Sequence, residues 1–171
     1  MLRNASGGGL PSEYQQVEWI QNGTNNNYLI TDVLANPVTR ADFVLIKWNT
    51  PTDGPMVISS GKASPFGALN NNQSHYRCTP QIEKTERVGE IVEVSFTKSV
   101  SGSGFVTLFS WWNSAWIAFI RCYSAKIWHG DTLVFDGIPC YRKSDGQVGL
   151  FNSITQVFCP GTSTFTKGAD V

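Results

Sequence analysis

Charge is scarce in this sequence. Only 15% of its 171 residues are Asp, Glu, Lys or Arg, where an ordinary soluble domain carries about a quarter. The 13 basic residues equal the 13 acidic ones and are scattered rather than clustered. Phosphate backbones demand a concentrated positive face, so no nucleic-acid partner is expected. No apolar run approaches the ~18 residues of a membrane helix, so no membrane partner is expected either. The opening MLRNASGGG lacks the basic-then-apolar order of a secretory leader, which points to a chain that is not self-exporting.

Catalytic groups are equally sparse. His75 and His129 lie in turn-like stretches with no nucleophile at a recognised spacing. Glu90 and Glu93, the nearest pair of carboxylates, would point to opposite faces of a strand and cannot flank a glycosidic bond. No enzyme activity is expected. Cys78, Cys122, Cys140 and Cys159 form no CxxC pair and have no histidine at ligand spacing, which argues against a structural zinc site. They read as small buried side chains, with a disulfide as the alternative. With no phosphate loop and no EF-hand pattern, no cofactor is expected; Asn and Asp side chains such as Asp32, Asp53 and Asp131, together with backbone carbonyls, are the alternative as a Ca²⁺ site.

What is abundant is β-favouring and turn-favouring. Valine, isoleucine, threonine and the 21 aromatic residues outnumber the good helix formers, and 16 glycines and 8 prolines supply tight turns. Residues 1–11 end in a glycine run and a proline and read as a flexible tether to a single domain over 12–171. Strands are predicted near 14–20, 28–34, 41–48, 56–60, 91–97, 105–110, 116–128, 132–138, 148–151 and 155–159. In 91–97, Val92, Val94 and Phe96 fall on one face, and Glu93, Ser95 and Thr97 on the other. No helix-period segment of ten residues or more occurs. About ten short strands predict an all-β, antiparallel two-sheet sandwich of the jelly-roll kind.

Two stretches carry a family likeness. LPSEYQQVEWIQNGTNNNYLITDVLANPVTR (10–40) is similar to a recurrent opening: Leu-Pro-Ser, Tyr-x-x-Val-Glu-aromatic-Ile, a polar turn, Tyr-Ile-x-Thr. RCYSAKIWHGDTLVFDGIPCYRKSDGQVGLFNSITQVFCPGTSTFTKG (121–168) is similar to the matching close, from Tyr-Ser-x-Lys-Ile-aromatic to Gly-Thr-x-x-Phe-Thr-x-Gly. Together they resemble the concanavalin A-like or laminin-G-like jelly-roll domains of phage, prophage and gut-bacterial surface proteins. The resemblance implies a non-catalytic binding module; the middle, 41–120, is unmatched. Several matched residues also read as architecture. Tyr123, Ala125 and Ile127 alternate with Cys122, Ser124, Lys126 and Trp128 before an HGD turn with Gly130 free to take positive φ. Pro139 is expected to end the next strand.

The candidate binding residues are Trp111, Trp112, Asn113, Ser114 and Trp116, with Tyr76 beside the Asn-rich stretch 70–76. Adjacent tryptophans on a strand point to opposite faces, so at most one of Trp111 and Trp112 enters a core cleanly. An outward indole suits stacking on the C–H face of a sugar, with Asn and Ser to bond hydroxyls. It suits a protein partner equally, and core packing is the third reading. Trp19, Trp48 and Trp128 sit in strand-like runs and are expected in the core.

The expectation is therefore a virion module that recognises host-surface glycans through loop aromatics. The alternative is a capsid-decoration or tail-assembly protein that uses the same surface for contacts with other virion proteins or a second copy. A virion surface is the expected location, with a bacterial cell surface or secretion as alternatives.

Overall fold

A computed structural model describes residues 9–23, 27–47, 56–60, 64–68, 89, 91–97, 104–110, 120–162 and 164–171. These residues are all-β and every strand pairing is antiparallel; no helix occurs among them. The strands are β1 (Tyr14–Gln16), β2 (Ile20–Asn22), β3 (Leu29–Leu34), β4 (Val38–Lys47), β5 (Met56–Ser60), β6 (Ser64–Ala68), β7 (Ile91–Thr97), β8 (Phe105–Leu108), β9 (Ile120–His129), β10 (Thr132–Arg142), β11 (Val148–Asn152), β12 (Val157–Pro160) and β13 (Phe165–Lys167).

Nine of them form one sheet. Its spine is β9, which pairs with β4 along its whole length on one edge, and β4 in turn pairs with β7. On the other edge β9 meets β10 over 125–129 and β2 over 121–122. The remaining four strands form a second sheet in the order β3-β8-β5-β6. Phe43, Phe96, Phe135, Leu45, Ile20 and Ile127 of the larger sheet pack with Leu29, Ile58, Leu108 and Phe109 of the smaller in one buried cluster. Burying two apolar sheet faces against each other is the driving force for this arrangement.

The period-two pattern at 91–97 is borne out, with Val94 and Phe96 buried and Glu93, Ser95 and Thr97 exposed. Gly130 (φ +59°) and Gly146 (φ +71°) make the expected turns. Two expectations fail. In β9 the register slips between the pairs Val44–Ser124 and Leu45–Cys122, so a bulge at Tyr123 and Ser124 puts Cys122 on the core face with Ala125 and Ile127. Pro139 does not end its strand. It pairs with Leu150, and its carbonyl accepts the Val17 N–H at 3.0 Å. Carbonyl and nitrogen of one strand residue share an edge, so its missing N–H falls where β10 has left β9 after Gly137 and not yet reached β1 at Cys140.

The two end segments fill the wedge between these diverging strands. β1 lies on β10 and β2 on β9, and the C-terminal segment runs along their free edge: β13 pairs with β2, Val17 bridges Asp170, and the Val171 N–H reaches the Gln16 carbonyl at 3.1 Å. On the outer face of β10–β12, Ile138, Cys140 and Phe151 are buried outside the main core. Tyr14 shields them, its ring 5.2 Å from Phe151 and 5.0 Å from Phe158. The Leu-Pro-Ser-x-Tyr opening is thus a covering element for the sheet's back.

Candidate functional site

One end of the two-sheet body collects the roots of four connections. Asn22 closes β2, with its Oδ1 accepting the Ile120 N–H at 2.8 Å and its Nδ2 donating to the Asn27 carbonyl at 3.4 Å. Asn27, itself buried, donates from Nδ2 to the Thr164 carbonyl at 2.9 Å. Beside it the Thr162 N–H and hydroxyl both reach the Tyr28 carbonyl, and Gly161 bridges Leu29, joining the two sheets. Lys47 is level with Ile120, Ile91 with Ile46, and Met56 with Ala68. The stretches between residues 23 and 27, 47 and 56, 68 and 91, and 110 and 120 therefore all leave and return at this end.

Phe109 marks the last of these exits. It is fully buried, packs 6.2 Å from Phe165, and holds φ at +69°, a region an L side chain adopts at a cost of about 1–3 kcal/mol. Bonds on either side of it over-determine that conformation: the Phe109 N–H donates to the Val57 carbonyl at 2.7 Å and the Ser59 hydroxyl to the Ser110 carbonyl at 2.8 Å. Trp111, Trp112, Asn113, Ser114, Trp116 and Tyr76 lie outside the described residues, as do Trp48, Asp53, His75 and Cys78. What is placed is where their segments are rooted, and that is one common end.

No protein family, curated protein or solved structure matches this chain.

The outer face of the larger sheet adds groups that periodicity did not find. Register aligns Thr97, Arg40, Trp128 and Leu133 in one row, then Ser95, Asp42, Lys126 and Asp136, then Glu93, Val44 and Ser124, and nearest the loop end Ile91, Ile46, Arg121, Gln21 and Thr166. Trp19 and Trp128 belong to this face and are only partly buried, contrary to the expected core positions. The physical reason is a cover: the Arg40 guanidinium stacks 4.6 Å from the Trp128 ring and that of Arg121 4.0 Å from Trp19. Arg142 on Phe158 and Lys167 on Tyr141 repeat the arrangement elsewhere. Such cross-strand partners are invisible to a period count.

Asp32, considered for Ca²⁺, is already engaged. Its carboxylate accepts from Asn152 Nδ2 (3.0 and 3.3 Å), from the Thr155 hydroxyl, and from the Cys159 thiol at 3.7 Å. Asp131 is exposed in the hairpin turn, and among the described residues no group of His, Cys, Asp or Glu is arranged to hold a metal. His129, the last residue of β9, contacts the Leu34 carbonyl through Nε2 at 3.1 Å. Cys122, Cys140 and Cys159 are free and buried. Burial pushes each of these thiols up to about 12, with the Asp32 charge adding to the effect at Cys159. They are protonated and unreactive at neutral pH.

Proposed function

We propose that this chain is a non-catalytic binding module of a phage or prophage virion, a concanavalin A-like jelly roll that recognises host-surface carbohydrate through loop aromatics. The observation that carries the reading is the convergence of four connections at one end of a rigid two-sheet body. The segments that carry WWNSAW and the Asn-rich stretch 70–76 with Tyr76 are rooted there, beside the Asn22–Asn27 bonds. Rigid sheets presenting variable loops are a common way of building a recognition surface. Indoles for sugar faces and amides for hydroxyls are the chemistry that surface needs. Single-site affinity is weak on this reading, and repeated copies on a virion compensate through avidity.

A second reading, capsid decoration or tail assembly, is favoured by a different feature. Ile30, Leu34 and Phe105 stand 44%, 55% and 50% exposed on the smaller sheet, with Leu34 and Phe105 directly paired. Exposed apolar neighbours of this kind suit a subunit contact. A glycan array probed with the monomer and with an oligomerised form tests the first reading. Sugar binding lost in Trp111→Ala or Trp116→Ala at unchanged mass supports it; no binding by either form overturns it. Loss of oligomers in Leu34→Ser or Phe105→Ser on size-exclusion chromatography supports assembly through this patch.

A further inference from the structure

Four cations stack on aromatic rings in the described residues, and three of them are neutralised locally. Arg40 pairs with Asp42, Arg142 with Asp145 at 2.6 Å, and Lys167 with Asp170 at 2.8 Å. Arg121 differs. Its Nε donates to the Gln21 Oε1 at 3.0 Å, and among the described residues no carboxylate pairs with it. An amide stands where the other stacks have an acid.

The site is also held in advance. The Trp19 indole lies between the guanidinium, 4.0 Å away, and Gly168, where an added Cβ would fall 2.7 Å from the indole nitrogen. Gly168 donates its N–H to the Trp19 carbonyl at 2.9 Å, and Gln21 is fixed in register between Arg121 and Thr166. With Nε committed to Gln21, the two terminal nitrogens, which bond no other described residue, form a planar fork, the geometry that takes a carboxylate with two parallel bonds. The same row continues through the buried Ile46 to the exposed Ile91, which offers C–H surface two strands from the charge.

We propose that Arg121, stacked on Trp19 and steadied by Gln21, is a subsite for the carboxylate of an acidic sugar, a uronic or sialic acid. This rests on the glycan-binding reading and names its ligand class. Holding the fork in place before binding removes part of the ordering cost.

The test uses the whole chain with trigalacturonate and 3′-sialyllactose as acidic probes. Their methyl esters keep the sugar but lose the charge, and a neutral-glycan array runs alongside. The expected result is binding of at least one acid, weakened roughly ten- to a hundredfold in its ester and, to a similar degree, in Arg121→Gln, with Arg121→Lys in between. The acid–ester comparison on the unaltered chain stands even if a variant fails to fold. Equal binding of acid and ester, binding unchanged in a folded Arg121→Gln, or binding of neutral glycans alone overturns this subsite and leaves the glycan reading intact. Silence from every acidic and neutral glycan overturns both.

Discussion

Asn152 is the side chain whose loss the fold should feel most sharply for its size. It is fully buried and makes five bonds. Nδ2 donates to both Asp32 oxygens and to the Val134 carbonyl (3.1 Å), and Oδ1 accepts the N–H groups of Asp136 (3.2 Å) and Ile154 (3.1 Å). One amide thus ties β3 of the smaller sheet to β10 and to the β11–β12 turn of the larger. Asn152→Ala strands the Asp136 N–H and the Val134 carbonyl without their side-chain partner and takes a donor from the Asp32 carboxylate. At about 1–3 kcal/mol for each buried group left unsatisfied, the expected loss is roughly 3–5 kcal/mol. Asn152→Asp keeps the two accepting roles but sets a second carboxylate against Asp32. Burial and like charge raise the folded-state pKa of the introduced acid, so the cost is greatest at pH 7 and shrinks as pH falls toward 4.5 and a shared proton bridges the pair. Urea unfolding of both variants against the parent at the two pH values measures this. A loss under about 1 kcal/mol in Asn152→Ala, or an Asn152→Asp penalty that grows on acidification, would refute the reasoning.

Two further outcomes follow from the geometry. A Cβ at position 149 would run into the Cys159 carbonyl, sit 2.9 Å from the Pro160 Cα and 3.0 Å from the Phe158 ring, so Gly149→Ala forces β12 away from β11 and lowers the melting temperature by several degrees; an unchanged melting curve contradicts this. Cys122, Cys140 and Cys159 should resist Ellman's reagent at pH 8 in folded Cys78→Ser and titrate fully in denaturant. Because their folded pKa values, about 12, exceed the unfolded ones, the stability they contribute is complete below pH 8 and is lost as pH climbs toward 12. Cys122→Ala should flatten that alkaline decline in chemical unfolding.

Much of the architecture was legible because a half-buried strand writes its two faces alternately into the sequence, as at Val94 and Phe96 against Glu93, Ser95 and Thr97. The misses share a cause. Ser64–Ala68 and Phe165–Lys167 become strands only because β5 and β2 lie alongside, and a Ser-Pro-Phe-Gly-Ala stretch alone reads as a turn. Pro139 reads as a terminator until the gap between β9 and β1 is seen. Trp19 and Trp128 read as core until the guanidinium that covers each is found on the neighbouring strand. The candidate residues could be picked out as aromatic-rich polar segments, but their common origin at one end depends on register between distant strands, which no local pattern encodes.

The position of residues 14–22, held on one side by β10 and β9 and on the other by the C-terminal segment, has a mechanical consequence. This run points from residue 14 toward the end where Asn22 meets Ile120. On the virion reading proposed above, tension between an attachment before residue 14 and a surface bound at that end would pull along its axis. Bonds on both flanks would then share the force in shear instead of parting one after another, which favours a grip that outlasts the drag on a particle.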